Sequence, residues 1–237
     1  MTSFFTISLL GLVLGMRHAT DPDHVIAVTT IVSKQRGVGK AGLIGVIWGL
    51  GHTLTIFLVG AAIILFKVAI PARLGLAMEL SVGLMLILLG VLNLTGVLQR
   101  ILGRFLPGST APGAADFTER ATQSIGLFNV LRPLVVGIVH GLAGSAAVAL
   151  LVMTTIRDPW REIGYLLIFG FGTVLGMMAI TALVALPFVY TARRLSGWNR
   201  GMAVVSGLLS VSFGIFLSYH VGIGGGLFSA HPHWVPQ

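Results

Sequence analysis

The sequence predicts an all-α, polytopic membrane protein: six transmembrane helices arranged as two inverted three-helix repeats, with the first helix broken at a His/Asp motif. Three observations carry that prediction. Hydrophobic residues make up 55% of the 237 and charged residues only 9%, with a mean hydropathy of +0.97, whereas a soluble domain carries roughly 25% charge. Six apolar segments are each long enough to cross a hydrocarbon core about 30 Å thick, which takes about 20 helical residues. The two halves of the chain also resemble each other in order.

The segments are Phe4–Val32, Ala41–Phe66, Leu74–Leu98, Leu134–Ile156, Ile163–Tyr190 and Met202–Val221. The first is the longest and is interrupted by His18-Ala-Thr-Asp-Pro-Asp-His24. The residue before a proline is biased away from helix, and proline suits the first position of a new one. Asp21 is therefore the expected N-cap of a second half-helix, with Pro22, Asp23 and His24 at its first three positions. Broken backbone at membrane depth is tolerated where it is buried or lines a cavity, and transporters commonly place their substrate at such a break.

The expected division is 1–98 for the first repeat, 99–133 for a cytoplasmic linker rich in Gly, Pro, Ser and Ala, 134–221 for the second repeat and 222–237 for an external tail. Connections after spans one, three and five hold Lys34, Arg36, Lys40, Arg100, Arg104, Arg120, Arg132, Arg193, Arg194 and Arg200. Those after spans two and four hold only Lys67, Arg73, Arg157 and Arg161. The bias makes the odd connections cytoplasmic and both termini external in the cytoplasmic (inner) membrane. The net charge of +8 is accounted for by these loops and by anionic lipid headgroups, not by nucleic acid. No cysteine is present, which excludes disulfide scaffolds and thiolate metal sites. The N-terminus has no basic region of the kind that precedes a cleavable signal.

The repeat is read from three matches. Gly15-Met-Arg-His18-Ala matches Gly137-Ile-Val-His140-Gly. Trp48-Gly-Leu-Gly-His-Thr53 matches Phe169-Gly-Phe-Gly-Thr173 with the histidine deleted. Met78, Gly83 and Gly90 match Met202, Gly207 and Gly214. The offsets are 122, 121 and 124 residues. With three spans per unit, the second unit must be inserted upside-down, a common transporter plan. Gly49, Gly51, Gly170 and Gly172 would let helices approach closely.

Two imidazoles and two carboxylates within seven residues are costly in a bilayer and mark a functional site. They are N/O donors suited to a divalent transition metal. On one regular helix His18 and His24 would point about 120° apart; a break lets them converge on one ion. Asp23 supplies a hard oxygen and negative charge. Asp21 is a ligand or only a cap. The plainer reading is a buried Asp–His network that holds the broken helix. His52 and His140 are further candidate ligands or packing residues, and His140 is also a candidate gate. Ser145 and Thr173 either contact the ion or bond back to their own helices. Arg17 is expected to pair with Asp21 or Asp23 and so keep the empty site neutral. Met16, Met177 and Met178 read as packing, and His220, His231 and His233 lie in or beside a Gly-rich, disordered tail. No phosphate-binding loop is present: Gly37-Val-Gly-Lys40 has neither the spacing nor the hydroxyl. A divalent cation moving inward gains about 4.6 kcal/mol per 100 mV, twice the value for one charge, so uptake needs no pump.

His18-x4-Asp23-His24 resembles the H-x4-D-H signature of the nickel/cobalt transporter family, and Gly49-Leu-Gly-His52-Thr53 resembles that family's second histidine motif. The shorter, urease-accessory UreH-like branch is the nearer likeness, through residues 17–24 and through Val139-His-Gly-Leu-Ala-Gly-Ser145. The resemblance implies Ni²⁺ or Co²⁺ recognition by His18, Asp23 and His24, with support of a nickel-enzyme maturation system. The acidic motifs of the family's second half are replaced here by Gly144-Ser-Ala146 and Gly176-Met-Met178, and His140 stands in for part of them. The expected function is thus secondary transport of divalent metal, as substrate and not as resident cofactor, with membrane lipid around it and no enzymatic activity. Alternatives are metal efflux, an anion exporter or a non-transporting accessory membrane protein. An intramembrane metallohydrolase lacks its H-E-x-x-H motif. Oligomeric state is left open.

Overall fold

A computed structural model describes residues 4–33, 35, 37–67, 70–105, 130–143, 158–194, 196–229 and 232–234. The described residues are helical, with no strand among them. In chain order the helices are α1 (Phe4–His18), α2 (Pro22–Val32), α3 (Val38–Phe66), α4 (Ala72–Phe105), α5 (Val130–Ala143), α6 (Pro159–Arg194) and α7 (Ser196–Tyr219). The last runs on into a π-helical turn, His220–Gly224. Helices α3, α4, α6 and α7 are each long and apolar enough to cross a membrane, which makes this a multi-pass membrane protein.

The first apolar segment breaks where proline predicts. Helix α1 closes with Thr20 N–H on Arg17 O (2.8 Å) and Asp21 N–H on His18 O (3.1 Å). Asp21 then takes an extended ψ of 143°, and Pro22 opens α2. The fourth expected span, Leu134–Ile156, is described only to Ala143, and 144–157 lie outside the described residues, Ser145 among them. Helix α4 runs to Phe105 and α5 is described from Val130, so most of the expected linker, 99–133, lies outside the described residues.

Helix α6 is the central pillar: α1 and α3 pack along it, and α2 lies across α6, α7 and α4. The second close pair is α4 with α7. Glycine sets these distances. A Cβ on Gly15 would fall on Phe169 O and near Thr173 N, and one on Gly137 would fall on Trp48 O and near His52 N. A Cβ on Gly172 would fall on Leu12 O, and one on Gly51 on Leu134 O. Helix α1 therefore meets α6 as α5 meets α3. Trp48–His52 and Phe169–Thr173 keep the same spacing, and His52 and Thr173 take matching places in these two contacts. Gly83 abuts Gly214 and Gly90 abuts Gly207 across α4 and α7. Lipid gives helices no hydrophobic reason to associate, so close packing of small residues is what holds them.

The outward face of α3 carries Leu43, Leu50, Leu54, Leu58 and Leu65, while Trp48, His52, Thr55 and Ile56 are buried on the other side. Polar side chains link the inner helices. Ser210 Oγ donates to Leu86 O (2.7 Å), Asn93 Nδ2 to Ala203 O (3.0 Å), and Ser33 Oγ to Asn93 Oδ1 (3.3 Å). Ser210→Ala is expected to lower stability by about 0.6 kcal/mol, the typical worth of one such interhelical bond. Thermal unfolding in detergent checks this.

Candidate metal site

The break in α1/α2 places His18 at the end of one half-helix and Asp23 and His24 in the first turn of the next. His52 comes to them from the middle of α3, and His140 from α5. Ring centroids lie 4.9 Å apart for His18–His24, 5.0 Å for His24–His52, 5.2 Å for His18–His52 and 4.5 Å for His24–His140. His24, His52 and His140 are fully buried. Two sets share His24: His18/His24/His52 and Asp23/His24/His140, each offering ligand atoms within 4.8 Å of one another. All six candidates from the sequence thus meet in one place, beside a cavity of about 350 Å³ lined in part by His18, Asp21, Asp23, His24 and His140.

Both carboxylates are spoken for by imidazoles. Asp21 Oδ2 lies 2.7 Å from His18 Nδ1. Asp23 Oδ1 lies 2.9 Å from both the backbone N and Nδ1 of His24, and its Oδ2 lies 3.1 Å from His140 Nε2. An ionised carboxylate only accepts, so each of these nitrogens carries the proton. The opposite nitrogen then bears the free lone pair. In His18 that is Nε2, which faces His52 Nε2 at 3.1 Å and accepts from it, leaving the lone pair of His52 on Nδ1. The free lone pairs of the three buried rings therefore sit on His24 Nε2, His52 Nδ1 and His140 Nδ1. Those same three atoms are buried without a hydrogen-bond partner. Buried polar atoms are rarely left so, and a carboxylate that fixes the tautomer of a histidine is the usual outer partner of a metal ligand.

Two expectations are corrected here. Asp21 occupies the N-cap position but makes no side-chain cap; its carboxylate reaches back to His18, because the tight turn at 19–20 brings that ring within reach. Arg17 is exposed and has no carboxylate partner among the described residues, since both acids already bind imidazoles. Thr173 Oγ1 bonds back to Phe169 O (3.0 Å). Met177 is buried against Gly45 and Gly49, and Met16 and Met178 face outward, as packing residues do.

Three residues near the site were not picked out for it from the sequence. The Trp48 ring is stacked on His24 (5.9 Å, 13°) and lies 5.5 Å from His140, and Phe169 lies 5.7 Å from His18. Glu79 lines the same cavity. An acid inside an apolar span is itself a signal, and it was available at Glu79. Described residues of the tail make defined contacts. His233 N–H donates to Gly225 O (3.0 Å), and Trp234 Nε1 donates to Glu79 Oε1 (2.7 Å). His231 lies outside the described residues.

No protein-family profile and no solved structure matches the chain. The chain is similar to the urease accessory protein UreH of Bacillus sp. (strain TB-90), with 38% identity over 226 residues, covering 94% of this chain and 95% of that protein. A likeness of that extent makes the chain a member of the UreH-like branch of the nickel/cobalt transporter family.

Proposed function

We propose that the chain is a secondary transporter that takes up Ni²⁺, or Co²⁺, across the cytoplasmic membrane, with His18, His24, His52 and His140 as the nitrogen donors. Asp23 and Asp21 orient those rings and supply negative charge. The observation that carries this reading is the coincidence of the three free imidazole lone pairs with the three buried, unpartnered nitrogens. Imidazole nitrogen suits Ni²⁺ and Co²⁺ and does not suit Mg²⁺ or Ca²⁺. An anion exporter would gain nothing from free imidazole lone pairs backed by two carboxylates. The chain is a carrier and not an enzyme, and the urease-accessory name of its relative supports supply of nickel to an enzyme-maturation system.

Two inverted three-helix repeats, with both termini external, are the architecture proposed around this site. Its support is reciprocal contact. If 15 corresponds to 137 and 48 to 169, the Gly15–Phe169 approach has its counterpart in Gly137–Trp48, and both occur. Likewise Gly83–Gly214 maps onto Gly207–Gly90, and Ser210, which bonds Leu86 O, is 124 residues beyond it. A site near such an axis suits alternating access.

The test is ⁶³Ni²⁺ uptake into proteoliposomes under an inside-negative potential. Accumulation that rises with the potential is expected. Folded protein that moves neither Ni²⁺ nor Co²⁺ overturns the reading. Asp21→Asn is expected to weaken Ni²⁺ binding by about 10–100-fold, the usual effect of losing the carboxylate behind a ligating histidine, as isothermal titration in detergent would record.

A further inference from the structure

The inner carboxylates Asp21 and Asp23 each lie within hydrogen-bond distance of histidine rings. Among the described residues the third acid lining the cavity, Glu79, has no histidine hydrogen bond, and His220 is near it only as a longer-range charge. Its recorded partner is the indole of Trp234, which donates to Oε1 at 2.7 Å. The seat for that indole is made by Gly75, one turn before Glu79 on α4: a Cβ there would overlap the ring at Cε2 and Cδ2. Described residues between α7 and Trp234 touch the same helix or one another. A Cβ on Gly225 would meet Leu76 Cδ2 at 2.6 Å, Arg73 Nη2 reaches Ser229 O at 3.4 Å, and His233 N–H closes onto Gly225 O at 3.0 Å. Trp234 is thus held over Glu79 by a fitted seat and by ties in the chain before it.

We propose that Glu79 is the carboxylate that first receives a divalent cation entering the cavity, and that Trp234 is a latch occupying that carboxylate until the cation arrives. The inference rests on the metal-carrier reading. Its physical basis is the difference between the three acids. Detaching Asp21 or Asp23 from its imidazole would strip a ring of the bond that fixes its tautomer. Detaching Glu79 from an indole breaks one bond to a neutral donor and leaves the inner site intact. A carboxylate prefers a divalent cation to a neutral N–H, because the interaction of two charges grows as the surroundings dry out. Entry of the ion therefore displaces the indole from Glu79, which lines the cavity.

Two conservative variants separate the parts. Trp234→Phe keeps an aromatic side chain and removes the donor that ties it to Glu79. Glu79→Gln keeps an acceptor for the indole and removes the charge. The native chain has no cysteine, so one placed at Leu217, which lines the cavity, reports access through its rate of alkylation by a small water-soluble maleimide in metal-free buffer. Trp234→Phe is expected to raise that rate about fivefold and Glu79→Gln to leave it near the parent value; equal rates in all three overturn the latch. In the chain without the cysteine, stopped-flow loading of Ni²⁺ is expected to slow about tenfold in Glu79→Gln and to quicken in Trp234→Phe. Unchanged loading in Glu79→Gln overturns the receiving role. If the unmutated protein binds no Ni²⁺, the metal-carrier reading and the cation role of Glu79 fall together, while the alkylation rates still decide the latch.

Discussion

His24→Ala is expected to reduce Ni²⁺ uptake by more than about 100-fold, beyond the roughly 10–100-fold loss that follows removal of an outer partner of a metal ligand. The reason is position. His24 belongs to both ligand sets, its Nε2 is one of the three unpartnered buried nitrogens, and no neighbouring side chain duplicates it. Asp23→Asn is the companion variant. An amide replaces one carboxylate oxygen by a donating NH₂, so one of the imidazole N–H groups on Oδ1 and Oδ2 loses its acceptor, and an approximately 10–100-fold fall is expected. Proteoliposome uptake measures both effects, and gel filtration with thermal unfolding in detergent shows that the protein is folded. Uptake that persists at the native level in His24→Ala would place the ion elsewhere.

Gly137→Ala should destabilise the protein by about 1–3 kcal/mol, the range for forcing a methyl group into a packed interior. The new Cβ would fall on Trp48 O, with Trp48 Cδ1 at 2.7 Å and His52 N at 3.0 Å. Backbone cannot step aside as a flexible side chain can, so α5 must move away from α3. His140 is one turn further along α5, and its 3.1 Å contact with Asp23 would lengthen with that shift, lowering Ni²⁺ affinity as well as stability. Gly201→Ala is the control. Nothing lies within 4 Å of a Cβ there, and replacing a helical glycine by alanine gains up to about 1 kcal/mol. Opposite shifts of melting temperature in the two variants are the expected result. A neutral Gly137→Ala would show that α3 and α5 do not need their close approach.

The break at Pro22 was legible because proline acts locally, through its fixed φ and missing N–H, and no tertiary contact is needed to predict it. The side chain of Asp21 was not. An aspartate ahead of a proline reads as a cap from sequence, and only the tight turn at 19–20, which carries His18 back to within 2.7 Å, turns it into a histidine partner. Arg17 was misread for a related reason. Charge balance called for a partner, but direction around the helix decides whether a side chain can reach one, and Arg17 faces out.

Glycine matches could propose a repeat but not align it through His52, since an insertion and a substitution look alike when the flanking residues are small. Contacts across helices add what the sequence lacks: Gly15 lies against Thr173 and Gly137 against His52, which favours substitution over insertion in the proposed repeat. The face of α3 that packs inward was hidden as well. In lipid both faces of a helix are apolar, so the alternation that marks the buried side of a soluble helix is missing.

By itself, the sequence determined the membrane class, the apolar segments, the interruption of the first one and the chemical type of the site. These depend on composition, on length against bilayer thickness and on proline, all properties of short stretches of chain. Only the tertiary structure decided which nitrogens carry free lone pairs, that His140 shares Asp23 with His24, that Trp48 covers them, and that Trp234 returns to Glu79 across 155 residues. Those outcomes depend on distances of about 3 Å between remote segments, and such distances are set by how closely the glycine faces let the helices approach.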